Sequence, residues 1–511
     1  MTDTTSAPLR GVSPRTGEPV GDPVPVSGAR DVDAAVRAAA RAFPVWSALP
    51  AADRARALEA AADRARALEA AADALDAARD GLVAVADAET ALGVARLTGE
   101  VGRTSGQLRL FAEVLRDGGH VQAVLTPADP AAGRPDIRRM RQAIGPVAVF
   151  SASNFPFAFS VAGGDTASAL AAGCPVVVKA HEGHPATSAA VARIVTEALR
   201  GAGAPEGVLG LVTGFEAGVA LVNHPAVRAA GFTGSGAGGR ALYDLAAARP
   251  EPIPFYGELG SVNPVVVLPG AAADRAEEIA EGYAQSLTLG TGQFCTNPGL
   301  LFVPEEGPLA DAVATAVGAS ATGAMLTSRI RDGYRARVAA LDEVAGLAPL
   351  ASGSAGGDSF AVAPRVWRLS LKSFAEQLDT LAEECFGPAG LVVTYPDVAS
   401  LAEVLAVLPG SLTGSVHATA GDAPAATRVA TALRHRVGRL VHNGWPTGVA
   451  VCWAMHHGGP WPSTTAPLHT SVGAGSIDRW LVPIAYQDWP DDLLPPELQD
   501  TNPLGIPRRV G

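Results

Sequence analysis

Short apolar segments alternate with helical segments along the middle of this 511-residue chain. Parallel strands buried on both faces have continuous apolar runs, and a crossover helix joins each strand to the next. The alternation therefore predicts a doubly wound α/β sheet, which binds its ligands beyond the carboxyl ends of its strands. The predicted strands are 146–150, 175–180, 207–214, 226–234 and 263–269, and the predicted helices are 166–172, 184–200, a segment that reaches His224, and 239–248.

The rest of the chain contains segments of other kinds. Residues 1–30 are rich in Pro, Gly and Ser and predict an extended arm, whereas 31–95 are Ala-rich with spaced charges and predict helices. Alternating polar and apolar residues around a Pro/Gly-rich centre predict a projecting hairpin at 120–145. A second α/β region is expected at about 259–445, and the Pro- and Asp-rich tail from about 475 is expected to be an arm.

Charge and cysteine usage limit the classes of partner and compartment. The formal net charge is −12, which argues against nucleic acid or an anionic membrane as a main partner, because both need a basic face. The four cysteines are scattered without a CxxC pair, so we expect reduced thiols rather than a disulfide framework. No signal peptide is recognised, and no apolar run reaches the ~20 residues that span a bilayer. These features favour a globular cytoplasmic protein.

The decapeptide AADRARALEA occurs at 51–60 and again at 61–70. Ten residues make about 2.8 helical turns, so the apolar face of the second copy is rotated by roughly 80° from that of the first. A heptad coiled coil does not rotate in this way. We therefore interpret the repeat as a lengthened surface helix, with a functional arm as the alternative.

Three segments carry side chains suited to covalent chemistry. GQFCTNPG places Cys295 in a glycine-rich loop, where a nucleophilic thiol needs exposure and a stabilised thiolate. FYGELGSVNPVVV places Glu258 before a strand, where a carboxylate can act on water as a general base. SASNFPFAFS places Asn154 after the first predicted strand, where its amide can donate to an oxyanion. Taken singly, these residues also fit a structural cysteine, a solvated glutamate and a turn.

Three further segments fit a dinucleotide. Lys179 ends a buried strand and points at the ligand crevice, with a snorkelling lysine at a strand edge as an equal alternative. FTGSGAGG (232–239) contains G-x-G-x-x-G between a strand and a helix, but the usual acidic residue about 20 positions further on is not evident. EECFGP holds Glu384 and Phe386 in a turn, where they could bind a ribose diol and pack against a nicotinamide.

Each of these patterns is weak alone, but their order along one chain is informative. The series Asn, Lys, Gly-Ser, Glu, Cys and Glu-x-Phe-Gly-Pro resembles the NAD(P)-dependent aldehyde dehydrogenase superfamily, from about residue 10 to about 490. Four stretches resemble most the branch that holds 2-oxoglutarate-semialdehyde (2,5-dioxovalerate) dehydrogenases and NADP-dependent fatty-aldehyde dehydrogenases. These stretches are ASNFPFAFSVAGGDTASALAAGCPVVVKAHEGHP, LTLGTGQFCTNPG, HNGWPTGVAV and HGGPWPSTT.

The resemblance implies the aldehyde dehydrogenase fold, with two doubly wound α/β domains and a protruding oligomerisation hairpin. It also implies a homodimer or homotetramer that is built through the hairpin and the C-terminal arm. The implied division is 1–119 with 146–258 for the dinucleotide-binding domain, 259–445 for the catalytic domain, 446–474 for the return to the cofactor domain and the substrate mouth, and 120–145 with 475–511 for the hairpin and arm.

The resemblance also implies a mechanism. In the family, the cysteine that matches Cys295 attacks the aldehyde, and the amide that matches Asn154 holds the oxyanion together with the backbone N–H of the cysteine. Hydride then leaves for the nicotinamide, and a thioester results. The carboxylate that matches Glu258 activates water to release the acid. Relatives that acylate coenzyme A or reduce acyl phosphates need no such carboxylate, so Glu258 favours hydrolytic release.

The implied cofactor is NAD or NADP. Glu182, three residues after Lys179, matches the glutamate that binds the adenosine ribose hydroxyls in NAD-preferring relatives. A carboxylate repels the 2′-phosphate of NADP by about 1 kcal/mol or more at short range, so we expect NAD to be preferred. The residues implied to contact the cofactor are Lys179, Glu182, Gly214, Gly218, Phe232, Gly234, Ser235, Leu259, Glu384 and Phe386.

The expected substrate is a small aldehyde that carries a carboxylate, such as 2,5-dioxovalerate, and the alternative is a long-chain or aromatic aldehyde. No arginine clamp for a carboxylate stands out in the sequence. Two rival classes are a cofactor-independent cysteine hydrolase or acyltransferase and a catalytically idle protein of the same shape. A group of histidines near Cys452 lacks the spacing of a closed zinc site, so no metal is expected. These histidines are His442, His456, His457 and His469.

Overall fold

The computed structural model describes residues 7–47 and 54–511, without the side chains of residues 54–62. The strands are β1 (Leu9–Val12), β2 (Pro19–Val24), β3 (Ala123–Thr126), β4 (Ile137–Ala143), β5 (Val147–Phe150), β6 (Val176–Lys179), β7 (Leu209–Val212), β8 (Ala229–Thr233), β9 (Phe255–Glu258), β10 (Val265–Val267), β11 (Leu300–Pro304), β12 (Ala321–Thr322), β13 (Ala348–Ser352), β14 (Ser354–Ala355), β15 (Arg365–Ser370), β16 (Ala389–Tyr395), β17 (Ser411–His417), β18 (Val437–His442), β19 (Leu481–Gln487) and β20 (Arg508–Val510). The α-helices are α1 (Ala29–Trp46), α2 (Arg54–Ala77), α3 (Arg79–Thr90), α4 (Val94–Asp117), α5 (Gly164–Ala172), α6 (Pro185–Gly201), α7 (Phe215–Asn223), α8 (Gly236–Ala248), α9 (Pro269–Asp274), α10 (Ala276–Thr288), α11 (Leu309–Gly318), α12 (Ser328–Asp342), α13 (Leu371–Glu376), α14 (Leu378–Leu381), α15 (Val398–Leu405) and α16 (Ala423–Leu433).

Five parallel strands form one sheet in the order β7-β6-β5-β8-β9. The chain runs outward from β5 through β6 to β7 and then returns to β8, on the other side of β5. The strand order therefore reverses between β5 and β8, and a sheet of this kind binds its ligand in the crevice beyond that point. The apolar pattern does not predict the outer strand β9, because its four residues FYGE mix apolar and polar side chains. In the structure, Glu258 is the last residue of this strand.

A second sheet of seven strands has the order β13-β15-β16-β11-β10-β17-β18. Its pairs are parallel except that β13 runs antiparallel to β15. The predicted strand 263–269 lies here as β10, shortened to three fully buried valines, rather than in the first sheet. Helices cover both faces of these buried strands, as parallel sheets require. The predicted class, two doubly wound α/β layers, is confirmed.

The predicted hairpin at 120–145 is present as β3 and β4, which pair antiparallel. The tail contributes more than an extended arm, because β19 pairs with β4 and β20 pairs with β3 to give the order β19-β4-β3-β20. A small apolar core beneath this sheet joins the hairpin to the tail. Its buried members are Val121, Ala123, Leu125, Met140, Leu494 and Leu498.

The duplicated decapeptide is only partly described. Its first copy begins outside the described residues, and the backbone from Arg54 continues through the second copy as α2, so the prediction of a helix is confirmed for this part. The second copy is not a surface helix throughout, because Ala65, Ala67 and Leu68 are fully buried. Among the described residues, no helix is both long and apolar enough to cross a membrane.

Candidate active site

The crevice at the strand reversal is bordered by both large sheets. Asn154 follows β5, Glu258 ends β9, and Cys295 lies in the turn between α10 and β11. Asn154 and Glu258 are buried, whereas Cys295 is half-buried. Asn154 bonds to the Cys295 loop and the charge of Glu258 acts on the Cys295 thiol, so these three predicted residues, which are far apart in sequence, lie in one site.

Asparagine side chains hold the Cys295 loop from two directions. Asn263 Nδ2 donates to the carbonyl of Cys295 at 2.8 Å and to that of Asn297 at 2.9 Å. Asn154 Nδ2 donates to the carbonyl of Gln293 at 2.9 Å. A primary amide nitrogen carries two hydrogens, so Asn154 keeps a second donor for another acceptor.

The chain reverses sharply before Cys295. Gly290, Thr291 and Gly292 have φ values of 55°, 58° and 67°, which lie in the left-handed region. A Cβ on Gly292 would overlap the backbone of Gly387. Glycine is required at Gly292 both for its backbone conformation and for this close approach. The loop can therefore present the thiol directly against the segment that holds Glu384 and Phe386.

The surroundings of the Cys295 thiol disfavour its ionisation. Burial raises its pKa to about 12, and the carboxylates of Glu258 and Glu384 add to this rise while the Arg103 guanidinium opposes it. A group that loses hydration and faces carboxylates resists becoming an anion. The thiol is therefore protonated at neutral pH in the described state.

A histidine that the sequence analysis considered only as a metal ligand faces this thiol. His457 Nε2 lies 3.7 Å from Cys295 Sγ. Burial lowers the pKa of His457 to about 3, with the charges of Arg439 and Arg103 adding to the effect, so the imidazole is neutral. The two residues are 162 positions apart, and no local pattern pairs them. Among the described residues, no group of three or more His, Cys, Asp and Glu side chains could hold a metal ion.

Glu258 is a buried carboxyl group with one oxygen unpaired. Its Oε2 has no hydrogen-bond partner among the described residues. Burial raises the pKa of Glu258 well above its usual range, while the nearby Arg479 opposes the rise and Asp165 adds to it. Arg479 Nη2 and Asp165 Oδ1 are themselves paired at 2.7 Å. Burial therefore favours the protonated form of this carboxyl group up to a higher pH than usual.

The other end of the crevice has the features of a dinucleotide site. Lys179 Nζ contacts Glu182 Oε1 at 2.7 Å at the carboxyl end of β6. Ser235 caps α8, with its Oγ accepting from Gly238 N at 3.3 Å, and the glycine-rich first turn leaves backbone N–H groups exposed. Such a helix start suits a pyrophosphate. A Cβ on Gly218 would lie 3.5 Å from the Lys179 side chain. The gap between Gly218 and Lys179 is therefore narrow.

The remaining predicted cofactor residues lie around this crevice. Gly214 precedes α7 in a left-handed conformation with a φ of 96°. Phe232 packs against Phe150 with ring centres 6.3 Å apart, and Leu259 is buried against Gly239. Gly234 donates its N–H to the carbonyl of Glu258 at 3.0 Å, which ties β8 to the end of β9.

Glu384 and Phe386 lie apart from Lys179, on the side of the crevice nearest the thiol. Both line a cavity beside the Cys295 loop. Glu384 Oε2 lies against Gly260, where a Cβ would come within 2.6 Å. Burial raises the pKa of Glu384 to about 8. The structure thus places Glu384 and Phe386 at the cavity beside the Cys295 loop, whereas Lys179 and Ser235 lie at the carboxyl ends of β6 and β8.

A doubly wound sheet with a glycine-rich helix start at its strand reversal and a thiol beside the same crevice fits the class of dehydrogenases that use a cysteine. The model of the aldehyde dehydrogenase family matches residues 1–466. The chain belongs to the aldehyde dehydrogenase family, and it is an oxidoreductase that uses NAD(P).

Similar proteins with assigned activities support this membership. The chain is 48% identical to alpha-ketoglutaric semialdehyde dehydrogenase 2 of Azospirillum brasilense over 509 residues, which are 98% of this chain and 95% of the relative. It is 44% identical to alpha-ketoglutaric semialdehyde dehydrogenase of Acinetobacter baylyi, over 83% of this chain and 82% of the relative. Among solved structures, PnpE from Pseudomonas sp. WBC-3 has the same fold, with a TM-score of 0.79, 24% identity and coverage of 95% of this chain and 94% of that chain. A PnpE structure in complex with nicotinamide adenine dinucleotide aligns equally well.

Proposed function

We propose that this enzyme oxidises the aldehyde group of a semialdehyde that also carries a carboxylate, such as 2,5-dioxovalerate, and releases the corresponding acid. The observation that carries the proposal is the convergence of a thiol, a carboxyl group and a side-chain amide at one end of the crevice. The names of the two similar dehydrogenases support the substrate class.

Cys295 is the proposed nucleophile. Its Sγ attacks the aldehyde carbon and the thiol proton leaves to water, because His457, whose Nε2 lies 3.7 Å from Sγ, has a pKa of about 3 and is too weak a base to take it. The negative oxygen that forms needs donors, which are the second N–H of Asn154 and the backbone N–H of Cys295. The rise in the thiol pKa means that the proton must be removed as the carbon–sulfur bond forms.

The dinucleotide is held by two groups of residues in this proposal. The exposed first turn of α8 with Ser235 binds the pyrophosphate, and Lys179 with Glu182 binds the adenosine ribose. Glu384 and Phe386 bind the nicotinamide end near the thiol. When bound, the nicotinamide supplies the hydride acceptor.

Glu258 is the proposed base for release of the acid. It must take a proton from the water that attacks the Cys295 thioester, and its unpaired Oε2 is available for that water. A raised pKa makes a carboxylate a stronger base once it is ionised. The presence of this base supports hydrolysis rather than transfer of the acyl group to a thiol.

We propose that NAD is preferred over NADP. The Glu182 carboxylate is held by Lys179 at the carboxyl end of β6, so a 2′-phosphate would meet a negative charge and a lysine that is already paired. Glu182→Ser is expected to raise the affinity for NADP by about tenfold, since about 1 kcal/mol of repulsion is removed and Lys179 is released. Steady-state KM values for both cofactors measure this change. A parent enzyme that already favours NADP would contradict the proposal.

The second candidate substrate is a long-chain or aromatic aldehyde. A cluster of aromatic side chains beside the nucleophile favours it, namely Phe155, Phe159 and Phe294. The proposed state is a cytoplasmic homodimer or homotetramer, and the apolar residues exposed on the tail support association.

A screen of aldehydes, each with NAD and NADP separately, tests the proposed function. Turnover is followed as an absorbance change at ~340 nm. We expect higher kcat/KM for semialdehydes with a carboxylate than for neutral aldehydes of equal length. Hydrolysis of esters with no absorbance change for any aldehyde would favour the rival cysteine hydrolase, and inactivity with both esters and aldehydes would favour an idle protein.

A further inference from the structure

Helix α4 turns three charged side chains toward the active-site region. Arg96, Glu100 and Arg103 are spaced by four and three residues, so they share one face of the helix. Glu100 is buried, and its Oε1 accepts the backbone N–H groups of Phe157 at 2.8 Å and Ala158 at 3.0 Å. This face of α4 therefore packs directly on the segment that follows β5.

Phenylalanine rings enclose the two guanidinium groups. The guanidinium carbon of Arg96 lies 4.7 Å from the centre of the Phe294 ring and 5.2 Å from that of Phe155. The guanidinium carbon of Arg103 lies 5.7 Å from the Phe155 ring and 5.2 Å from the Phe159 ring. Because Phe294 directly precedes the nucleophile in the chain, the two cations line the same aromatic wall that borders the thiol.

In the part of the chain that the structure describes, the buried donor atoms without a partner outnumber the one unpartnered acceptor beside them, Glu100 Oε2. Arg96 Nη2 donates to the carbonyl of Asn154 at 2.7 Å, but its Nη1 is buried without a partner among the described residues. Arg103 has both Nε and Nη2 buried without a partner in the same part of the chain. One carboxylate, Glu100, lies between two guanidinium ions, and an unpaired buried charge is costly. This region is therefore suited to receive an anion.

A comparison with a third arginine singles out Arg103. Arg439 is also near the nucleophile, but its donors are engaged with Thr413 Oγ1 at 3.3 Å, the carbonyl of Gly448 at 3.0 Å and the carbonyl of Pro446 at 2.6 Å. Arg439 thus supplies a positive charge in a fixed position, but it has no free pair of N–H donors for a carboxylate. The charge of Arg103 also reaches the reacting atoms, since it acts to lower the pKa of the Cys295 thiol.

We propose that Arg103 binds the carboxylate end of the substrate while the aldehyde carbon lies at Cys295. The Nε and Nη2 atoms form one edge of the guanidinium, and such an edge donates two parallel hydrogen bonds to a carboxylate. Arg96 is a positioning residue, because it donates a hydrogen bond to the carbonyl of Asn154. It also adds a second positive charge to the site. This inference rests on the proposed function and names the residue that selects a semialdehyde with an anionic end.

The test compares 5-oxopentanoate with pentanal, which have the same chain length and differ in the carboxylate. Arg103→Met is expected to lower kcat/KM for 5-oxopentanoate by roughly 10- to 100-fold, the range of a lost charge-assisted hydrogen bond. The loss for 5-oxopentanoate should appear mainly in KM and should exceed the loss for pentanal, which reports only the effect of the removed charge on the thiol. Arg103→Lys keeps the positive charge but loses the paired N–H donors of the guanidinium. We therefore expect a smaller loss of kcat/KM, which again falls more on 5-oxopentanoate than on pentanal.

Arg109→Met is the matched control on the same helix. Arg109 pairs with Asp73 and Asp76 at 2.7 Å on the outer side of α4, so its replacement should leave both aldehydes unaffected. Equal losses for both aldehydes in the Arg103 variants, or no loss, would overturn the inference and leave the oxidation of aldehydes standing. A parent enzyme that oxidises neither compound overturns the proposed function instead.

Discussion

Cys295 and Glu258 share one cleft, and the charge of Glu258 makes the ionisation of the thiol more difficult. Burial raises the pKa of both groups, and the Glu258 carboxylate adds to the rise at the thiol. Two acidic groups in one low-dielectric site cannot both carry charge cheaply. The thiol is therefore expected to keep its proton at rest, and Glu258 must be ionised when it acts as a base.

The rate at which iodoacetamide alkylates Cys295 is expected to rise with pH. Because only the thiolate reacts and the pKa of the thiol is about 12, its fraction grows about tenfold per pH unit between roughly pH 7 and 10. Mass spectrometry of the modified peptide measures the rate without cofactor. Cys295→Ala reports the background from the exposed Cys452. A rate that levels off below about pH 8 would show that the thiol pKa is not raised.

Glu258→Gln is expected to separate the two halves of the reaction. The amide cannot take a proton from water, so release of the acid should slow by roughly 10²- to 10⁴-fold while formation of NADH in the first turnover persists. Rapid mixing with absorbance at ~340 nm would then show a burst followed by slow turnover. Cys295→Ser is the control, and it should lose the burst as well. Loss of the burst in Glu258→Gln would assign this residue to the first half of the reaction.

At the scale of elements, the loop between α10 and β11 positions the nucleophile. Its three consecutive left-handed residues, Gly290 to Gly292, turn the chain back so that Asn263 can hold the carbonyl of Cys295. The backbone of Gly387 lies directly against Gly292. The position of the thiol therefore depends on contact between this loop and the turn before β16.

Gly292→Ala is expected to lower both the melting temperature and the turnover. A left-handed alanine costs about 1–2 kcal/mol, and the overlap with Gly387 adds to this cost. Gly133→Ala is the matched control, because Gly133 has a similar φ of 63° but no atom within 4 Å of the added Cβ. Melting followed by circular dichroism and turnover measure the difference. Equal effects of the two substitutions would mean that the contact with Gly387 is unimportant.

At the scale of the whole molecule, the first two sheets meet at the crevice and the third extends the hairpin. We propose the division in which 1–119 with 146–258 bind the dinucleotide and 259–445 carry the nucleophile. The isolated bridge between Glu258 and Thr464 shows the chain returning to the first sheet after the second is complete. The proposed return segment 446–474 contains this bridge and His457.

The enzyme is expected to have two or four times the monomer mass in solution, measured by light scattering. Trp489 and Leu493 are about half exposed on the tail, so replacing both with serine should shift the population toward the monomer if the tail is an interface. Val407→Ser removes a similarly exposed side chain in the second sheet region and serves as the control. A parent enzyme that is monomeric at all concentrations would contradict the proposed oligomer.

The sequence by itself determined the class of fold and indicated which cysteine to propose as the nucleophile. Continuous apolar runs predict buried parallel strands because their period is local, and five such segments correspond to β5, β6, β7, β8 and β10. Cys295 and Asn154 are recognisable because each sits in a short motif with a turn or a strand end beside it. The mixed segment FYGE has no such periodicity, so the strand that ends in Glu258 was not evident.

Only the tertiary structure decided which distant side chains surround the nucleophile. His457 is 162 residues from Cys295, yet its Nε2 is 3.7 Å from the Sγ atom. Arg103 lies on a helix that precedes the first sheet, and no spacing links it to either residue. Contacts of this kind depend on how helices and sheets pack. Local periodicity can be read directly from the sequence, but the contact between remote faces depends on the packing of the whole core.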